Sequence, residues 1–469
     1  MIELREPLEN LVRQPVEFTT GKNFPDRIHI YDETLRDGEQ MPGVAFSPEQ
    51  KLELAGLLND MGVDVLMAAF PASSASDREA LRRILLARRS GRLRADLEIM
   101  TIARATRHDI RAAAEAVREA GEDPGSAGIL VLSTASDLHL KYKLGRTLLK
   151  YKGVAEDQWL SRPVEWYRKA NLDLITDHIA YAAELGFGVV EFASEDASRA
   201  TMPYLLEWAR ACRQAGGTRL CFSDTCGVFT PEAVDAYIPP LVQALPGFPV
   251  TAHFHNDFGL GAINTVRALG HGATHASISA CGIGERAGNT SIHQVVMVLR
   301  DLYGVQLPAF RYDRLWELRR AIEVFSGIPI QPHEPIIGHN VFAHESGMHT
   351  AGIEIHPAIY QTIDHEVVGG EHRFVFGKHS GAAGVIRLLT DLGVAGDLAE
   401  DDLGKVVEEV LTQVKERRES RAAADDFGGP VRSYYEHLAG LGVKDEEVAR
   451  IFRETTALRT GPVREQPEQ

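Results

Sequence analysis

The chain has 469 residues, room for two or three domains or for one barrel with appendages. With 44% hydrophobic and 25% charged residues it can bury a large core and is not a disordered chain. Asp and Glu outnumber Lys and Arg by 66 to 50, and the net charge of −16 argues against a nucleic-acid or anionic-membrane partner.

In chain order, residues 28–31 form a short apolar run that ends in Asp32-Glu33-Thr34-Leu35-Arg36-Asp37-Gly38. Ser47-Pro48-Glu49-Gln50 then has the pattern of a helix start, with Ser as N-cap and Pro in the first turn. Further apolar runs follow at 63–70, 97–102, 127–132, 188–192, 220–223, 250–255 and 276–280. Helical patterns at 77–89, 109–120, 164–185, 204–215, 231–244 and 261–269 separate them. Eight strand-like runs alternating with helices predict an α/β fold, a (β/α)8 TIM barrel over residues 1–305. A doubly wound sheet has the same alternation, and the count of eight favours the barrel. After about residue 303 the rhythm changes. A linker subdomain is expected over 306–381, Pro/Gly/His-rich from 327 to 379, and a small α-helical C-terminal subdomain over 382–469 with a frayed tail from 460. Four cysteines without C-x-x-C spacing, no apolar signal core in Met1–Asn10 and no bilayer-length apolar run predict a cytoplasmic protein with reduced thiols.

His253-Phe254-His255 is the sharpest local feature. Side chains on a strand alternate, so both imidazoles face one side and offer two nitrogens to a divalent metal. Asp37 stands at the end of the first strand-like run and supplies a carboxylate. The same ligand types serve non-haem iron oxygenases, but those sites sit on β-sandwiches, so a Lewis-acid metal is the better reading. Gly282, Gly284 and Ala287 loosely match a dinucleotide fingerprint in the wrong place, and a turn that aims Glu285 and Asn289 at the site explains them better. His344–His349 and Lys378–Gly381 can each be a structural turn, and His139 and His178, without ligand spacing, are expected to be ordinary.

Taken together and in order, Glu33–Gln40, the H-x-H-N-D-x-G block, Gly282–Asn289 and His344–His349 resemble the 2-isopropylmalate/homocitrate synthase family. The resemblance runs from residue 28 to about 381. It implies acyltransferase chemistry in which acetyl-CoA, as co-substrate, condenses with a 2-oxo acid and the CoA thioester is hydrolysed. It implies a divalent metal (Mg, Mn or Zn) on Asp37, His253 and His255 with Asn289 near it, Arg36 on the 2-oxo acid's oxygen, and Thr225 on its carboxylate. It also implies His349 as catalytic base and Tyr360, eleven residues on, as catalytic tyrosine, both from the partner of a domain-swapped homodimer, and Glu195 as an acid near the acetyl methyl. Longer members carry a leucine-sensing domain beyond this chain's last residue, so feedback control of that type is not expected.

Several positions depart from the family. Met67 stands where an acid is usual on the second strand, Leu130 where a His is usual, Glu191 where homocitrate synthases carry an Arg, and Ala193 where a Ser is usual. Met67, Ala69 and Leu130 can wall a pocket for an apolar 2-oxo acid, giving a 2-substituted malate. A dianionic acceptor (phosphonopyruvate, phosphinopyruvate or 2-oxoglutarate) would need a further cation, for which Arg104 and Arg199 are candidates near strand ends. An acyl-CoA lyase on a similar barrel and a non-catalytic barrel subunit are the rival readings.

Overall fold

The protein is described here by a computed structural model covering residues 24–393, 400–424 and 428–460. Met1–Asn10 and the tail expected after Thr460 lie outside the described residues. Eight parallel strands, β1 (His29–Asp32), β2 (Val65–Ala69), β3 (Glu98–Arg104), β4 (Gly128–Thr134), β5 (Val189–Glu195), β6 (Arg219–Asp224), β7 (Val250–Phe254) and β8 (His275–Ile278), pair in sequence order. β8 returns to β1 in register, His29 opposite His275 and Asp32 opposite Ile278, and closes the barrel. Each apolar run read from the sequence coincides with one of these strands to within a few residues.

Helices follow the strands on the outside. After β1 comes α1 (Pro48–Met61), then α2 (Ala75–Arg89), α3 (Arg107–Glu119), α4 (Gly145–Tyr151), α5 (Val164–Glu184), α6 (Met202–Gln214), α7 (Pro231–Ala244), α8 (Gly261–Gly270) and α9 (Ile292–Met297). α1 starts as its sequence predicts. Ser47 Oγ accepts from the Gln50 N–H at 3.2 Å while the Gln50 side chain accepts from the Ser47 N–H at 2.8 Å, a reciprocal cap. It stops at Gly62, which is left-handed (φ 89°), and a Cβ there would lie 2.1 Å from the Ala309 carbonyl oxygen. Glycine is required on both counts.

With helices outside and side chains filling the interior, strands of such a barrel are buried on both faces and read as continuous apolar runs. Tyr31, Val65, Met67, Met100, Ile102, Leu130, Ala193 and Cys221 form the apolar part of the interior. Among them is a charged layer. Glu191 on β5 is register partner to Arg219 on β6, both are buried, and their side chains meet at 3.2 Å. Tyr31 and Thr251 donate hydroxyl hydrogen bonds to Glu191 at 3.1 and 2.6 Å, and Arg219 also pairs with Glu98 at 2.6 Å.

Beyond the barrel, α10 (Leu315–Ser326) packs against α1. The His-rich stretch holds more structure than a linker. It contains α11 (Gly347–Ile355) and a two-stranded parallel sheet of β9 (Ala343–His344) and β10 (Arg373–Phe374). The Lys378–Gly381 segment is a structural turn, its His379 carbonyl accepting from the Gly347 N–H at 3.0 Å and its His379 N–H bonding Glu345 at 3.1 Å. α12 (Ala382–Asp391), α13 (Glu400–Ala424), α14 (Gly428–Gly440) and α15 (Asp445–Thr460) complete the described chain.

One buried lysine ties two loops at the barrel mouth. Lys51 of α1, almost without exposure, bonds Glu39 after β1 at 2.6 Å and Asp77 of α2 at 2.7 Å, and Asp77 also accepts from the Phe70 N–H at 2.7 Å. Lys51→Met would leave the two carboxylates facing each other without the cation. Urea unfolding is expected to register a loss of about 3 kcal/mol, the scale of a broken buried ion pair; an unchanged midpoint would remove this role.

Candidate metal centre and substrate cavity

The C-terminal ends of the strands open on a cavity of about 320 Å³. β7 projects His253 to its inner face, and His255 follows two residues on, so both rings turn the same way with their Nε2 atoms 3.3 Å apart. Asp37, in the turn after β1, brings Oδ2 to 3.7 Å from His253 Nε2. One ligand atom from each of the three lies within 4.8 Å of the others, and all three residues are buried. Asn289 reaches the group because its backbone bridges to His255 and Gly284 leaves room for it. A Cβ on Gly284 would sit 2.6 Å from Asn289 Nδ2.

The electrostatics suit a cation. Burial alone would raise the Asp37 carboxyl, but Arg36 at 2.7 Å, with His253 and His255, holds it down at about 2. Burial, with the adjacent His253 ring, pushes His255 down to about 4, and burial likewise lowers His253. The carboxylate is thus ionised and the rings neutral near neutral pH, the states in which each can donate a lone pair. Asp37 Oδ2 and Asn289 Oδ1 are buried with no hydrogen-bond partner in the protein, although buried acceptors are normally satisfied. The nitrogen of His253 that faces away, Nδ1, is held by Ser277 Oγ at 2.8 Å. Donor set, charge states and orphaned oxygens all fit a divalent metal ion.

Around this group the cavity has a polar and an apolar side. Arg36, Thr225, Glu195, Gln40, Ser223, Glu285 and Arg286 line it, as do Phe70, Ile102, Leu130, Leu132 and Ala193. Thr225 Oγ1 accepts the Asp196 N–H at 2.9 Å. Glu195, at the end of β5, is ion-paired with Lys143, which no sequence signal marked and which lies in the turn before α4. His139, read as an ordinary residue, stands 3.6 Å from Glu195 and 3.7 Å from Asp196.

The structure corrects several acceptor-side expectations. Met67 is fully buried in the barrel interior and does not line the cavity; Phe70, three residues on, is the β2-end residue that does. Arg104 points elsewhere, bonded to Asp109 at 2.6 Å with most of its side chain in solvent. Arg199 pairs with Asp196 at 2.7 Å and is likewise not in the lining. Glu191 faces inward but is held in the charged layer rather than in the cavity wall. His349 and Tyr360 come together in the second unit, rings stacked with centroids 4.2 Å apart, both exposed and outside the lining of their own chain's cavity.

Comparison with known proteins accords with this geometry. A family model described as HMGL-like matches residues 27–322, and one described as "Homocitrate synthase post-HMGL domain-like" matches residues 336–419. The chain is similar to homocitrate synthase AksA of Methanopyrus kandleri, 36% identical over 404 residues that make up 86% of this chain and 91% of that one. It is also similar to 2-isopropylmalate synthase of Methanocaldococcus jannaschii, 33% identical over 461 residues, 98% of this chain and 80% of that one. The solved HMG-CoA lyase of Bacillus subtilis shares the fold at a TM-score of 0.50 and 18% identity, covering 66% of this chain and 96% of that one. An ionised carboxylate and two neutral imidazoles at the mouth of a closed barrel, with a post-barrel unit that matches its own family model, lead to one assignment: the chain belongs to the HMGL-like family, among its 2-isopropylmalate and homocitrate synthases.

Proposed function

We propose that this enzyme condenses acetyl-CoA with a 2-oxo acid carrying an apolar side chain and hydrolyses the CoA thioester, giving a 2-substituted malate. The observation that carries this reading is the Asp37–His253–His255 group beside Arg36 at the foot of a cavity walled by Phe70, Ile102, Leu130, Leu132 and Ala193. A dianionic acceptor is the weaker reading, because Arg104 and Arg199 are engaged elsewhere and Lys143 and Arg286, which do line the cavity, are paired with Glu195 and Asp257.

Asp37, His253 and His255, with Asn289 alongside, would hold a divalent metal ion (Mg, Mn or Zn), which when bound supplies Lewis-acid polarisation of the 2-oxo group. Arg36 stays charged and its planar fork can meet the developing oxyanion. The Thr225 hydroxyl is placed to bind the acceptor's carboxylate. Acetyl-CoA's methyl is a weak carbon acid, so a base has to act where water is scarce. His349 takes the methyl proton, with Tyr360 stacked against it, and Glu195 stands near the methyl. The carbanion equivalent attacks the 2-oxo carbon, whose oxygen ends protonated as the new hydroxyl. Water then adds to the thioester carbonyl, the C–S bond breaks, and the thiolate leaves as CoA after gaining a proton.

The exposed His349–Tyr360 pair, away from the cavity of its own chain, supports a domain-swapped homodimer in which each barrel receives this pair from its partner. Among the described residues no helix is long and apolar enough to cross a membrane, and the four cysteines are free, which supports work in the cytoplasm on small-molecule substrates.

Three measurements test this reading. CoA release with acetyl-CoA plus 2-oxoisovalerate, pyruvate, 2-oxoglutarate or phosphonopyruvate is expected to favour the first two; no turnover with any of them overturns the proposal. His349→Ala is expected to abolish turnover and leave calorimetric divalent-cation affinity unchanged, whereas Asp37→Asn is expected to weaken cation binding by at least about tenfold. Unfolding and refolding His349→Ala together with Asp37→Asn in equal amounts should restore about a quarter of wild-type activity, since half the dimers would then carry one complete site. No restoration on mixing would rule out the swapped pair.

A further inference from the structure

An arginine gives up much rotamer freedom when it is fixed. A guanidinium that has to meet a substrate in one geometry therefore needs partners of its own. Asp37 is one, but its second oxygen points at the two histidines. Glu33 is the other. It is 1% exposed, and its Oε2 lies 2.6 Å from Arg36 Nη2. Its Oε1 accepts from Ser277 Oγ at 3.3 Å, and the same hydroxyl lies 2.8 Å from His253 Nδ1. One carboxylate thus braces both the cation of the cavity and the orienting side of a metal-ligating ring.

Placement explains how it does so. β1 pairs with β2 with Tyr31 opposite Val65 and Asp32 opposite Leu66. Continuing that register one step past the end of β1 would set Glu33 level with Met67. Both face inward, Met67 in the apolar interior and Glu33 in the cavity wall. Glu33 reaches Arg36 from just past the end of β1, and position 67 is the β2 position facing the same interior.

We propose that Glu33 is the positioning residue of the site, that it sets Arg36 toward the acceptor and His253, through Ser277, toward the metal, and that its carboxylate can be moved to position 67 of β2 without loss of this duty. This rests on the function proposed above. Glu33→Gln keeps the volume and removes the charge. It is expected to lower kcat/KM for the 2-oxo acid by about 10- to 100-fold and to weaken calorimetric divalent-cation binding, with KM for acetyl-CoA within about twofold of wild type. Ser277→Ala, which leaves Glu33 paired with Arg36, is expected to weaken cation binding with a smaller effect on the acceptor. Adding Met67→Glu to Glu33→Gln is expected to recover at least about tenfold of the lost kcat/KM.

Acceptor kcat/KM within about twofold of wild type in Glu33→Gln overturns the proposal, and so does an equal loss for both substrates with a lowered Tm, the mark of a merely structural residue. A double variant with wild-type Tm and no recovery overturns the exchange between strands. If the wild type turns over no 2-oxo acid, the proposed function fails, while the cation affinities of Glu33→Gln and Ser277→Ala against wild type still decide whether Glu33 braces His253.

Discussion

Arg36 lies between Glu33 and Asp37, with 13% of its side chain exposed and charge-assisted hydrogen bonds of 2.6 and 2.7 Å on its two sides. A guanidinium removed this far from water persists because its carboxylate partners repay its desolvation; it helps hold Asp37 at about 2, while burial outweighs it at Glu33 and raises that carboxyl to about 7. The negative charge of Asp37 falls where it faces His253 and His255. The same interaction therefore provides a permanently positive group for an anionic acceptor and a carboxylate held at about 2 that is ready to accept a cation. Around this arrangement the barrel supplies rigid strand ends, and the Lys51 pairs supply the hold on the two loops that flank it.

The net charge of −16 gives the surface no long-range pull on CoA or oxo acids, both of which are anionic. Capture has to be local. Arg36, Lys143 and Arg286 line the cavity, but each is already matched to a carboxylate, so a monoanionic head with an apolar side chain suits the lining better than a second full negative charge. On the function proposed above, Phe70, Leu132 and Ala193 would take the apolar end.

Alternation and strand-end chemistry were legible in the residues themselves. Eight apolar runs are eight strands, and the period-two spacing of His253 and His255 by itself puts both rings on one face. What could not be read was set by register and by partners distant in sequence. Arg104 is near a strand end as expected, yet Asp109, at the start of the following helix, captures it. Met67 and Phe70 are three residues apart, and only the level at which β2 ends decides which of them meets the cavity. His139 and Lys143 carry no spacing signal because their partner, Glu195, comes from the next strand of the barrel. α11 was hidden by glycines and histidines whose helix is held by contacts with the Lys378–Gly381 turn, not by propensity.

The charged layer inside the barrel has a bearing on how this enzyme could change its diet. Glu191 lies two residues below Ala193 on the same face of β5, and it is locked to Arg219, Tyr31 and Thr251. Shaving Ala193 or Leu130 to deepen the cavity would bring an apolar side chain of the acceptor down onto a buried ion pair. Longer acceptors can therefore be accommodated sideways or toward the mouth, through Phe70 and Leu132, but not by digging. In evolutionary terms the pocket has an adjustable rim over a bedrock of charge, and shifts of substrate preference among such barrels should be written at the C-terminal ends of β2 and β4.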